Sequence, residues 1–347
     1  MRRLSALIVV AAVSLTATAA RAQFDSVRVD GGKGSEAGNV TSVSKTTITV
    51  AKGAGGARKV EVPVNRVHRV TFAGEPTELS QARVNVYNGG FENAASFLEE
   101  IDISTVSRPE VKTDIEYYKA YAEAQKALSG SGDLDAAQTQ MFNFVKNNLN
   151  SFHYYEACEV LGDLAVASND YPKAVQFYEQ LEKTAWPDFQ IRAKVLVGRV
   201  LQSQNNHSAA IAKFEEALAT AADSDEAESQ KLAATLGKAV SMSQTGQLEQ
   251  AVSMIDNVLA AAGPEQKNLH ARAYNALGTC HLKAGKVKPA MLAFLRTHLL
   301  YNVSPEAHAE ALYHLHQLFN QQGQEDRARD MLALLKDRYG SSTWAQK

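Results

Sequence analysis

Two hydrophobic rhythms divide the chain. From Val27 to Phe72 apolar residues alternate with polar ones: Val27 and Val29, Val40 and Val43, Ile48 and Val50 beside Thr47 and Thr49, then Val60, Val62 and Val64, and finally Val67, Val70 and Phe72. Period two with β-branched residues predicts half-buried strands. Breaks at Gly31–Gly34, Ser44–Lys45 and Gly53–Gly56 divide this stretch into about five short strands. A sheet this small must roll up to bury its apolar face, so a compact barrel is expected over residues 23–75. From Glu75 onward the apolar spacing becomes three and four, which predicts amphipathic helices over residues 76–340.

Within the helical part a signature recurs seven times: a turn, a large apolar residue, then Ala-x-x-x-apolar. Its alanines are Ala94, Ala137, Ala174, Ala210, Ala251, Ala290 and Ala328, spaced by 43, 37, 36, 41, 39 and 38 residues. Periods of this size predict stacked helical units rather than one globular core. The fourth unit shows the pattern best, with a first helix at Lys194–Leu201, a turn at Gln204–His207 and a second helix at Ala209–Leu218. Its Gly198, Ala210, Phe214 and Ala217 fall at the spacing of the tetratricopeptide repeat, and the unit resembles one. The third unit (Gly162, Ala174, Tyr178) and the sixth (Gly278, Ala290, Phe294) are similar. The fifth has Ala239 where others have Gly, and the seventh has His316 where a small residue is expected. The first and second match mainly in the turn and second helix.

The resemblance implies a mainly α fold, an α-α superhelical solenoid of about seven tetratricopeptide-like helix pairs, preceded by the small all-β head. The head's strand pattern, from Gly38-Asn39-Val40 through Ile48-Thr49-Val50 to Val70-x-Phe72, resembles the small five-stranded barrels of the Sm-like kind. The recurring Gly, Ala and aromatic residues read as packing positions: small residues let helices approach, and Tyr178, Phe214 or Phe294 fills the space between them. The tail from Lys336 to Trp344 is expected to begin a further cap for the array's apolar end, with residues 341–347 as a C-terminal tail.

The first residues bear on the destination. Arg2 and Arg3 precede an apolar run, Leu4–Leu15, broken only by Ser5 and Ser14, and Ala20-Arg21-Ala22 offers a small-x-small cleavage site. This predicts a secretory signal over residues 1–22 and an exported protein, periplasmic or secreted. An uncleaved membrane anchor is the rival reading, but the run is short of the roughly 20 residues a span needs. No later segment is apolar enough for a membrane span. Without residues 1–22 the chain keeps 33 basic and 38 acidic residues, a charge of −5. A mildly acidic exported chain has no general attraction for nucleic acid. Cys158 and Cys280 fall on first helices three units apart, beyond the about 7 Å a disulfide tolerates, so both are expected as buried apolar residues.

No catalytic motif is present: no G-x-S-x-G, no H-E-x-x-H, no paired C-x-x-C. The Gly-rich run Gly31–Gly38 lacks the order of a phosphate loop and reads as a hairpin turn. His314 and His316, two apart on a helix, face different sides and do not make a metal site. No enzyme activity, cofactor or metal is expected. In the tetratricopeptide family first-helix residues line a groove that takes segments of partner proteins. The matching positions are Glu156, Glu159 and Asp163 in the third unit, Arg192 and Arg199 in the fourth, Arg272, Asn275 and Lys283 in the sixth, and Tyr313 and Gln317 in the seventh. These side chains are open to two main readings, a solvated helix face or a peptide groove; a paired-carboxylate active site at Glu156, Glu159 and Asp163 is a distant third, since nothing nearby in the sequence would raise one pKa selectively. The family's carboxylate clamp of Lys and Asn has no match here. The expected role is a non-enzymatic protein–protein interaction scaffold of the cell envelope. The alternative is an accessory envelope protein whose β head binds a cell-wall or other ligand while the repeats act as spacer.

Overall fold

The structure is a computed structural model that describes residues 24–340, 342 and 344–347. The signal segment expected over residues 1–22 lies outside them. Five strands open the described chain: β1 (Asp25–Val29), β2 (Gly34–Val43), β3 (Thr47–Lys52), β4 (Arg58–Pro63) and β5 (Val67–Thr71). They form one antiparallel sheet in the order β4-β3-β2-β1-β5. The three breaks read from the sequence are the turns between strands, and the Gly31 region makes a short 3-10 turn rather than a strand-to-helix loop.

β2 is longer than its apolar pattern suggests. Its first half pairs with β1 (Val29↔Gly34 to Asp25↔Gly38) and its second half with β3 (Asn39↔Ala51 to Val43↔Ile48). The strand changes partners at Gly38, where a Cβ would lie 2.4 Å from the carbonyl oxygen of Ala51. Only glycine allows that approach. Among the described residues no ladder joins the edge strands β4 and β5. The expected barrel therefore stands as a five-stranded antiparallel sheet. Helices, rather than its own closure, cover its apolar face.

Those helices come in seven pairs. They are α1 (Thr77–Tyr87) and α2 (Phe91–Glu99), α3 (Pro109–Ser129) and α4 (Leu134–Asn147), α5 (Tyr154–Ala167) and α6 (Tyr171–Glu182), α7 (Pro187–Ser203) and α8 (His207–Ala219), α9 (Asp225–Gln244) and α10 (Leu248–Ala261), α11 (Lys267–Lys283) and α12 (Val287–Leu300), and α13 (Pro305–Gln321) and α14 (Glu325–Tyr339). Each turn within a pair passes through one left-handed residue: Gly89, Gly130, Asn169, Asn205, Gly246, Gly285 or Gly323. Glycine has no Cβ to clash there, and asparagine is the side chain that tolerates the conformation best. Residues Lys336–Tyr339, expected to start a cap, instead complete α14. No helix among the described residues is long and apolar enough to cross a membrane.

The seven signature alanines are all buried. The small residues of the first helices face an aromatic ring: a Cβ on Gly162 would meet Tyr178 at 2.2 Å, one on Gly198 would meet Phe214 at 2.6 Å, and one on Gly278 would meet Phe294 at 2.7 Å. Phe214 is gripped from both sides, since Gly237 on α9 of the next unit would place a Cβ 2.3 Å from the same ring. The fifth unit thus keeps its glycine two residues before Ala239. In the seventh unit His316 turns its Nδ1 to the carbonyl of Ala328 at 2.9 Å, a hydrogen bond where other units have close contact. Cys158 and Cys280 are buried and unbridged.

The sheet is not an appendage. Val27, Ile48, Val50 and Phe72 share one core with Leu79 and Ala82 of α1, Leu98 of α2, Val111 and Ile115 of α3, and Phe152. Charges bind the same junction. The buried carboxylate of Asp25 accepts from the backbone N–H of Val40 (2.6 Å) and Ala73 (2.7 Å), and from both terminal nitrogens of Arg108 (2.8 and 2.9 Å). Buried Arg83 reaches Glu75 at 2.5 Å and also pairs with Asp114, which holds His153 at 2.6 Å. His153 in turn stacks on Tyr117, with ring centroids 3.7 Å apart. Every charge in this chain of contacts has an opposite partner, the condition for tolerating ions in a core.

Candidate binding groove

Consecutive first helices pack on one another: α1 on α3, α3 on α5, α7 on α9, α9 on α11 and α11 on α13. Second helices contact mainly their chain neighbours. The first helices are therefore the inner layer of the curve, and their unpacked side chains line the concave face. The curve is tight enough for the field of Glu306, at the start of α13, to reach Arg199 on α7.

The sequence-derived residues on this face fall into three groups. Glu159 and Arg192 pair across α5 and α7, with Nε and Nη2 of Arg192 at 2.7 and 2.8 Å from the carboxylate. Asp163, one turn further along α5, accepts from the phenol of Tyr178 at 2.7 Å. Glu156 is exposed and turned to His153, whose Nδ1 lies 3.4 Å away. That completes the third-unit cluster.

The second group centres on α11 and α13. Asn275 is buried, and its amide donates to the Ala307 carbonyl (2.7 Å) and to Glu310 (2.9 Å), while its Oδ1 has no partner. Arg272 and Arg199 are half-buried, and neither forms an ion pair among the described residues. Nε of Arg199 is shielded from water without a partner. Burial and the nearby charge of Arg199 push Arg272 down to about 9, against the pull of Glu306 and Glu310. Burial also pushes Asp163 up to about 7, with the charge of Glu159 adding to it. It does the same to Glu310, also to about 7, with Glu306 adding. Charge inside the curve is incompletely compensated in both signs.

Three residues lie apart from these, and two of them form the third group. Lys283 sits at the far end of α11, where its ammonium reaches back to Gln244 (2.5 Å) and the Ser243 carbonyl (3.4 Å) at the end of α9. It ties two helix ends together rather than joining Arg272 and Asn275. Gln317 donates to the Tyr313 hydroxyl at 2.6 Å, and the Tyr313 ring meets Trp344 of the C-terminal tail.

Glu306 and Glu310 escaped the sequence reading. For Glu310 the signal was present: Glu156, Arg192, Arg272 and Glu310 all lie 18 residues before the signature alanine of their unit. Asp163, Arg199 and Gln317 likewise share a place 11 residues before it. The fifth unit breaks the pattern with Ala233, Leu236 and Val240 at the equivalent positions, so an apolar step separates the Arg192–Arg199 stretch from Arg272. Glu306 lies 22 residues before the signature alanine of its unit, a place it shares with Asp188, but nothing in that spacing links it to Arg199.

The head reaches the rim of this groove. Lys33, at its β1–β2 turn, pairs with Asp225 at the start of α9 (2.7 Å), and Asn65 donates to Asp188 at the start of α7 (3.2 Å). Lys45 lies over the ring of Tyr154 on α5 at 5.0 Å. A cavity of about 320 Å³ opens between Asn65 and the first turns of α7, α9 and α11, lined by Asp188, Arg192, Asp225, Glu226 and Glu265. The head thus bridges the N-terminal ends of three first helices.

Comparison with known proteins agrees with this architecture. The family model described as Tetratricopeptide repeat matches residues 160–227 and 236–299. None of the curated proteins matches the chain in sequence. Among solved structures, a tetratricopeptide repeat protein from Parabacteroides merdae ATCC 43184 is similar at 14% identity, covering 76% of this chain and 92% of that one, with a TM-score of 0.50. A Rap protein in complex with Competence and Sporulation Factor is similar at 14% identity, covering 77% of this chain and 76% of that one, also at 0.50. At that identity the likeness speaks for the fold alone. Residues 160–227 and 236–299 thus match the tetratricopeptide repeat, and they lie within a solenoid of helix pairs that follows a small antiparallel sheet.

Proposed function

We propose that this protein is a non-enzymatic protein–protein interaction scaffold of the cell envelope, and that its concave face binds a segment of a partner. The observation that carries the reading is the pair Arg199 and Arg272. Two guanidinium groups stand within reach of each other's field, on helices of different units, and neither has an ion-pair partner among the described residues. Holding like charges together in a partly dehydrated groove is unfavourable, and an incoming carboxylate would relieve it with charge-assisted hydrogen bonds. Asp163, Glu306 and Glu310 beside them suit a partner segment that carries both charges. The similarly folded Rap protein, which is seen in complex with Competence and Sporulation Factor, is consistent with such a use of the fold. The envelope setting rests on the signal pattern of residues 1–22. The head has less support as an independent ligand module, because Lys33, Lys45 and Asn65 at its turns are engaged with the array.

Affinity capture from an envelope extract, quantified by mass spectrometry, tests the reading. The wild type should enrich one partner or a small set, and Arg199→Glu/Arg272→Glu should lose it while keeping its helical circular dichroism. Equal recovery of every protein by both forms would remove the groove from the account.

A further inference from the structure

The C-terminal tail lies against the last first helix, where the seventh unit would present its share of the groove. Trp344 packs between Tyr313 and His314, with ring centroids 5.4 and 5.5 Å away. The tail turns here, the N–H of Ala345 donating to the Ser342 carbonyl (3.1 Å) and hydroxyl (3.2 Å). That turn carries Lys347 back over the Trp344 ring at 3.5 Å from its centroid, and 5.7 Å from that of Tyr313. The ammonium is near enough for its field to act on Glu310 and His314. Tyr313 shares the register of Glu159 and Asn275 in their units, and Gln317 that of Asp163 and Arg199.

We propose that the surface formed by Glu310, Tyr313, His314 and Gln317 is a subsite for an aromatic residue followed three residues later by Lys or Arg, and that Trp344 and Lys347 are its resident occupant. A partner segment of the same chemistry displaces them. The proposal rests on the groove reading above, but its test involves neither Arg199, Arg272 nor a captured partner, so its failure is distinguishable from failure of that reading. Three features favour an occupant over a fixed cap. Trp344 and Ala345 do cover the apolar end left by Ala309, Leu312 and Leu335, yet both remain half-exposed. The contacts of Trp344 and Lys347 are ring edges and a cation over a ring, each individually weak. Lys347 extends past the apolar patch onto groove positions, where a cap would have nothing to cover. A tethered occupant competes at an effective concentration of about millimolar, so a free segment must match it in that range or bind neighbouring subsites as well.

The chain has two tryptophans, Trp186 and Trp344, which makes the displacement directly visible. The full chain labelled with 5-fluorotryptophan should give two ¹⁹F resonances, assigned by Trp344→Phe. Titration with the peptide Thr-Trp-Ala-Gln-Lys, unlabelled and up to several millimolar, should move the Trp344 resonance to a solvent-exposed position and leave Trp186 in place. Tyr313→Ala should show that released position before any peptide is added, and Lys347→Glu, which leaves the apolar contacts intact, should shift part of the way. A Trp344 resonance that ignores the peptide, or that responds equally to Thr-Ala-Ala-Gln-Ala, would overturn the proposal. So would a Lys347→Glu resonance identical to wild type.

Discussion

Gly198 and Arg199 are neighbours on α7, yet they belong to different regions of the molecule. Gly198 faces the ring of Phe214 in the seam between paired helices, with no room for a Cβ. Arg199 faces the concave side, where its half-buried guanidinium has no ion-pair partner among the described residues. In the seam the chemistry repeats from unit to unit, because close packing admits few solutions. On the concave side it changes in sign and type: carboxylates on α5, arginines on α7, apolar residues on α9, Arg272 and Asn275 on α11, Glu310 and Tyr313 on α13. Stability constrains the first set of positions and leaves the second free to vary. That freedom is what allows a repeat array to recognise a particular partner.

Substitutions can break or sharpen this contrast. The largest effect is expected at the junction of head and array. Asp114→Ala strips buried Arg83 and His153 of their shared carboxylate and should cost about 3–5 kcal/mol by denaturant titration. A loss well under that range would mean the junction tolerates an unpaired charge. In the seam, Gly162→Leu forces side-chain atoms into Tyr178 and should cost about 1–3 kcal/mol or more. The paired control, Arg199→Leu, removes a half-buried charge from the groove and should leave stability within about 0.5 kcal/mol or raise it. Similar losses from both variants would erase the distinction between seam and groove.

Asp163 adds a pH signature. Its proton is held up to about pH 7 in the folded chain but leaves near the ordinary value of 3.8 in the unfolded one. Between these values the folded state binds more protons, so Asp163 lowers stability progressively as pH rises toward 7, and the penalty is complete above it. Asp163→Asn can still accept from Tyr178 and lacks that penalty. It should be more stable than wild type by up to about 4 kcal/mol at pH 8 and nearly equal to it at pH 4. A gain of the same size at both values would contradict the assignment. The smallest effect is expected at the rim. Lys33→Glu breaks an ion pair whose side chains are 74% and 81% exposed, and should leave the denaturation midpoint almost unchanged, the more so in high salt.

The seam was legible in the sequence because it is built from recurrence. Gly162, Ala174 and Tyr178 announce their contacts by spacing alone, and the same frame places seven helix pairs. The strands of the head were legible for the same reason, except the first half of β2. There Gly34–Ala37 carries no large apolar residue, and the ladder with β1 rather than any apolar pattern makes it a strand. The docking of head on array could not be read. Lys33 and Asp225 are separated by 192 residues, and neither carries a mark of the other. The groove was legible in its positions and illegible in its pairings. Arg192 and Arg199 stand seven residues apart on the same helix, and only the three-dimensional structure gives Arg192 to Glu159 while leaving Arg199 without an ion-pair partner among the described residues. Lys283 shows the converse: its sequence position fits the face, but its long side chain turns to the end of α9.

The central claim is that partners meet the chain on the non-repeating concave positions. Site-specific photo-crosslinking from single positions tests it most directly, with the crosslinking residue at Thr279, one turn beyond Asn275 on the same face of α11, and at exposed Leu292 on α12 as the outer control. The account predicts that, in cells producing the full chain, one defined adduct forms from position 279, disappears in the Arg199→Glu/Arg272→Glu background, and is absent from position 292. The same adduct from position 292 alone, or an adduct from 279 that survives the double charge reversal, would contradict it.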